Sequence, residues 1–190
     1  MDAFQSYRWL LEKGVDACNL VVAGDSAGGN LALALLLGAR DSNLPLPALA
    51  VALSPPTDLE TEYASLAGNQ DTDWIDKPQL LHWAEWFCDS AQLRDPLISP
   101  MCADLRRLPL IYVQAGSAEI LYDSILAFVN RAKSQGADVV LESWEDMNHV
   151  FQMFGPGAPQ SAEALRRIGE IIDLRIRKRK KMETVSMPSL

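Results

Sequence analysis

Ser26 sits in the string Gly24-Asp25-Ser26-Ala27-Gly28-Gly29. A serine hydroxyl is a weak nucleophile until a base removes its proton, and that base must itself be held by a third group. The chain contains two histidines, His82 and His149. His149 falls in a predicted loop after a predicted strand, where an imidazole can reach another loop. His82 falls on a predicted helix with no evident partner and reads as a surface or core histidine. For the third group, Glu119 lies just past another predicted strand, and Asp123, one helical turn later, competes for the role. In chain order these are a nucleophile, an acid and a base.

The elements that must position them follow from the pattern. Leu20 to Ala23 is apolar on both faces and too short for a helix, so Cys18 to Ala23 reads as a buried strand. The glycines around Ser26 allow a sharp turn and close backbone approach. Asn30 to Arg40 is apolar nearly all round and reads as a buried helix. A helix start here would aim backbone N–H groups at a developing oxyanion. The string is also close to the GDSGG of trypsin-like proteases, but Ala27 is extra and an LALALLL helix follows, which an all-β domain would lack. No GxxxxGK or GxGxxG phosphate loop occurs.

Further strands are predicted over 48–53, 109–115 and 138–143, and helices over 2–13, 119–135 and 162–179. The last carries Leu165, Ile168, Ile171, Ile172 and Ile176 on one face. In the connection 57–108, Asp76 caps a predicted helix from Lys77 to Ser90 that carries Leu80, Leu81, Trp83, Trp86 and Phe87. These rings either pack on the sheet or, with Trp74 and Tyr63, wall an acyl pocket. Alternating strands and helices predict a mostly parallel α/β sheet of about four strands flanked by helices.

With 48% apolar residues, the chain can bury the core of one globular domain. No apolar run is long enough to span a bilayer, and the first residues lack a secretory pattern. Residues 1–165 hold 9 Lys and Arg against 22 Asp and Glu. That acidic body disfavours nucleic acid as a partner. The basic run Arg177 to Lys181 reads as a solvated helix end, with an import signal or an anchor for anionic lipid or RNA as alternatives. Cys18, Cys88 and Cys102 are odd in number and widely spaced, which predicts reduced thiols in a cytoplasmic protein.

The chain resembles the hormone-sensitive-lipase-like carboxylesterases of the α/β-hydrolase group. The resemblance rests on GDSAGGNLALAL at 24–35, LSPPTDL at 53–59, DPLISPMCADLRRLPLIYVQAGSAEILYD at 95–123 and HVF at 149–151. It implies a partial α/β-hydrolase fold, with Ser26 as nucleophile, Glu119 as triad acid, His149 as base and the Ala27 N–H as oxyanion donor. It assigns Asp123 and Asp58 structural roles and implies a small-molecule ester substrate with no cofactor and no metal. The order of the three residues is that of the group.

One departure stands out. Members of the group carry an HGGG-type oxyanion loop upstream, whereas here 25 residues precede Ser26 and none resembles it. The expectation is therefore the C-terminal part of a hydrolase over 1–176, followed by a basic tail over 177–190. Its ester hydrolysis is expected to be impaired. The alternative is a non-catalytic fragment that binds a partner, or itself, through an exposed strand edge near residues 19–22.

Overall fold

The computed structural model describes residues 2–186, with side chains described through residue 176. The side chains of the basic run at 177–181 therefore lie outside the described residues. Four parallel strands run in the order β1 (Val21–Asp25), β2 (Leu49–Leu53), β3 (Leu110–Gly116) and β4 (Val139–Trp144). Register pairs Val21 with Leu49, Leu49 with Leu110 and Ile111 with Val139. All four C-terminal ends thus share one edge, where open α/β sheets place their sites.

The helices are α1 (Asp2–Glu12), α2 (Ala27–Asp41), α3 (Ala64–Gly68), α4 (Lys77–Phe87), α5 (Tyr122–Ser134) and α6 (Pro159–Ser186). One face of the sheet packs on α2 and α5 through Leu33, Leu36, Ile111, Val113, Ile125 and Phe128. The other face receives Ile168, Ile171, Ile172 and Ile176 of α6 against Leu49, Val51 and Leu110. Both faces of β2 and β3 are covered, so these strands do not alternate in burial, and apart from the buried Gln114 and the Tyr112 hydroxyl they carry no polar side chain. Tyr7 of α1 packs beside Leu35 and Ala39 of α2 and donates its hydroxyl to the Pro45 carbonyl at 2.8 Å.

The structure departs from several sequence expectations. The first strand starts at Val21, not Cys18, because Asp16 accepts the Cys18 N–H at 3.0 Å and winds Ala17–Asn19 into a 3-10 turn. Leu165 points to solvent on α6, while Ala164, one residue earlier, is fully buried. Leu31 is 47% exposed, so α2 is not buried all round. No residue of α4 is buried; Trp86 is 75% exposed, so the rings do not pack on the sheet. Cys18 is buried, while Cys88 and Cys102 are part-exposed.

Candidate active site

Ser26 leaves β1 and starts α2 with φ 50° and ψ −122°. The turn is closed by the Ser26 N–H, which donates to the Leu53 carbonyl at 2.8 Å and extends the β1–β2 ladder by one rung. The positive φ falls on the serine, not on the flanking glycines. Gly24 is required for space: a Cβ there would lie 2.2 Å from the Gly28 carbonyl oxygen. At Gly29 a Cβ would meet the Pro55 Cβ at 3.1 Å, while at Gly28 it would meet nothing within 4 Å. The sequence expectation of three glycines admitting close backbone is thus met at two. Asn30, buried in the first turns of α2, donates to the Pro56 and Ile98 carbonyls, both at 2.8 Å, and anchors the turn to two loops.

The turn presents the Ser26 hydroxyl to His149, whose Nε2 lies 2.9 Å from Oγ. The other ring nitrogen, Nδ1, faces Glu119 Oε2 at 3.5 Å. Both side chains are almost wholly buried, His149 at 2% and Glu119 at 0% exposure. At that separation the two groups are in close contact, longer than a formed hydrogen bond. Such bonds are often long before a substrate is bound. Burial dominates the Glu119 carboxyl and pushes it above the usual range, only partly opposed by His149 and the Ser54 hydroxyl.

Each side chain stands just past a strand end. Gly116 ends β3 where a Cβ would fall 2.0 Å from the Met147 carbonyl oxygen, so only glycine lets the Glu119 loop meet the His149 loop. Val150, next to His149, holds φ 50° and ψ 42°, a conformation costly for a β-branched residue. Its N–H donates to Ser54 Oγ at 3.1 Å, and the Ser54 N–H donates to the Gln114 carbonyl at 2.8 Å. Ala27 opens α2, so its N–H has no acceptor within the helix, and the residue is exposed.

The competing acid is placed elsewhere. Asp123 Oδ2 accepts the Ser65 N–H at 2.8 Å and ties α5 to α3. Asp58 accepts the Glu60 and Thr61 N–H groups and the Tyr63 hydroxyl. Burial pushes the Asp58 carboxyl up, but those hydrogen bonds outweigh it and hold it below the usual range. His82 is a surface residue, 3.8 Å from Glu85 and against the Trp86 ring.

A cavity of about 320 Å³ opens beside Ser26, lined by Leu31, Pro56, Leu59, Leu80, Trp83 and Phe87, among others. This is the role of α4: it walls a cavity and leaves its outer rings in solvent. Trp74 and Tyr63 do not line it. Trp74 lies 5.5 Å from the His149 ring and donates Nε1 to the His149 carbonyl at 2.6 Å, while Tyr63 is tied to Asp58. Sequence reasoning missed Ser54, Asp73 and Gly116. Of these only Gly116, a glycine closing a mostly apolar strand, left a trace in the pattern.

Comparison with known proteins places the fold in a family. The sequence profile of a family described as alpha/beta hydrolase fold matches residues 1–153. An acetyl-hydrolase of Streptomyces hygroscopicus is 38% identical over 172 residues, 90% of this chain and 58% of its own length. The crystal structure of an esterase from the bacterial hormone-sensitive lipase family superposes with a TM-score of 0.86 at 41% identity, over 90% of this chain and 58% of that one. An esterase/lipase structure from an uncultured bacterium gives a TM-score of 0.88 at 35% identity, over 93% and 59%. The chain thus spans somewhat more than half the length of these relatives.

Proposed function

Since the chain belongs to the α/β-hydrolase fold family, in its hormone-sensitive-lipase-like group, we propose that it is built for carboxylic ester hydrolysis through Ser26, His149 and Glu119. The observation that carries the reading is the 2.9 Å contact of Ser26 Oγ with His149 Nε2, backed by Glu119 on the far nitrogen. His149 takes the serine proton as Oγ attacks the ester carbonyl. Glu119 holds the ring and balances the imidazolium charge. The Ala27 N–H donates to the oxyanion. His149 returns the proton to the leaving alkoxide, and a water molecule then cleaves the acyl-enzyme by the same route.

The apolar cavity beside Ser26 suits a short or medium acyl or alcohol group. The name of the Streptomyces relative, an acetyl-hydrolase, supports the short end of that range. Within these 190 residues no HGGG-type stretch occurs to complete an oxyanion hole. Loss of one such donor lowers turnover by about 100- to 1,000-fold. A fluorophosphonate probe tests the assignment without requiring turnover. It should label the wild-type chain and fail to label Ser26→Ala; equal labelling of the two would remove the triad reading.

A second reading rests on β1. Among the described residues β1 pairs with β2 alone, and it runs along an edge with Ala23 exposed. An open parallel edge accepts another strand, so a chain without turnover would act by binding a partner or a second copy there.

A further inference from the structure

The proposed acid and base lie on different loops, one after β3 and one after β4. These loops bond to each other at their strand ends, where the Ser117 N–H donates to the Trp144 carbonyl at 2.9 Å and the Ala118 N–H to the Met147 carbonyl at 3.0 Å. Nearer Glu119 and His149 themselves, the segment from α3 to Trp74 bridges the two from outside. Asn69 Nδ2 donates to the Ser117 and Glu119 carbonyls at 3.1 and 2.9 Å. Thr72 Oγ1 donates to the Ala118 carbonyl at 3.0 Å, and Ser65 Oγ to the Ile120 carbonyl at 2.9 Å. Four successive carbonyls of the acid loop are therefore held by one segment.

Asp73 alone in that segment touches both loops through one side chain. Its Oδ2 accepts the N–H of Ile120, the residue after Glu119, at 2.8 Å. Its Oδ1 accepts the N–H of His149 itself at 3.0 Å, and also that of Trp74 at 2.9 Å. Trp74 then returns to the His149 carbonyl, so both backbone polar groups of the base are engaged. The charge of Asp73 works against a buried carboxyl nearby, raising Glu119 slightly further. What this carboxylate supplies is a pair of acceptors at a fixed spacing, which neither asparagine nor serine can reproduce.

We propose that Asp73 is a positioning residue whose two carboxylate oxygens set the separation of Glu119 and His149. The inference rests on the reading of these two as acid and base. The test must therefore separate the two ideas. Because the chain holds two histidines, NMR of histidine-labelled protein reports His149 directly, with exposed His82 as internal control. In the wild type the Nδ1 proton of His149, shielded and facing Glu119, should be visible and slow to exchange. Asp73→Asn should retain a cooperative urea transition, lose that signal to exchange with water, and label Ser26 with fluorophosphonate about 100-fold more slowly. In a Glu119→Gln background the same change should slow labelling less than twofold, because the unit is already broken.

An unchanged Nδ1 signal in folded Asp73→Asn overturns the proposal. So does a full 100-fold loss on top of Glu119→Gln. Asp73→Glu keeps the charge but lengthens the arm and should also lose the signal; it serves equally if the asparagine variant does not fold. A signal lost in Asp73→Asn but kept in Asp73→Glu assigns the effect to charge and rejects positioning. Equal labelling of wild type and Ser26→Ala would defeat the triad alone, since the Nδ1 signal still reads the effect of Asp73.

Discussion

Ser26 and Val150 both hold positive φ within the site, each at a cost of roughly 1–3 kcal/mol. That strain sits where the hydroxyl and imidazole must meet, and two glycines make it sterically possible. Gly24→Ala and Gly116→Ala each force a methyl into a backbone carbonyl and should destabilise by about 1–3 kcal/mol or more in urea denaturation. Gly28→Ala meets open space and should stay within about 0.5 kcal/mol of wild type. A Gly24 variant as stable as the wild type would mean that the turn is looser than it stands here.

Glu119 supports a pH prediction. Its carboxyl is raised in the folded chain, so below the ordinary value of 4.5 both folded and unfolded forms are protonated and nothing is lost. As pH rises from there, the unfolded chain releases a proton that the folded chain retains, and folding stability falls until the raised folded value is passed. Glu119→Gln removes this dependence. Its urea midpoint should therefore gain on that of the wild type as pH rises above 4.5; no gain would mean that burial does not raise the folded carboxyl.

At the scale of elements, α4 shows what the apolar spacing of a helix leaves open. Asp76 and Gln79 form a capping box, and Pro78 sits in the first turn, so its start was legible locally. Which way its rings face was not, because spacing marks an apolar face without saying what covers it. Trp86 lies outside both core and cavity, and Trp86→Ala should change stability by less than about 0.5 kcal/mol. Phe87→Ala opens the cavity wall beside Ser26. It should raise the relative labelling rate for a long-chain phosphonate over a short one, measured by competition between the two probes. No change in that preference would separate the cavity from the acyl group.

At the scale of the whole molecule, β2 and β3 have a strand on each side, while β1 and β4 form the two edges of the sheet among the described residues. The exposed edge residue Ala23 gives a direct test of strand addition there. Ala23→Lys places a charge on the edge, a device that blocks edge pairing. Sedimentation velocity should show concentration-dependent association of the wild type that is reduced in the variant; identical profiles would remove the edge from consideration. Among the described residues no helix is long and apolar enough to cross a membrane.

Local chemistry carried much of this protein into view. Four short strand-like runs, each followed by a break and then a helical period, point to parallel strands, of which β2 and β3 are covered on both faces. The setting of Ser26 dictates a turn, and the scarcity of histidine leaves little choice of base. Preference for Glu119 over Asp123 could not be read from spacing, since both follow the same strand. The family resemblance favoured Glu119, and the folded chain turns Asp123 to Ser65 while Glu119 lies buried beside His149. Spacing was equally silent on Asp73 and Ser54, whose partners lie about 50 to 100 residues away. Periodicity records which face of an element is apolar, a short-range property of the chain. Hydrogen bonds between loops depend on where strand ends arrive together, and that is decided by sheet register and packing.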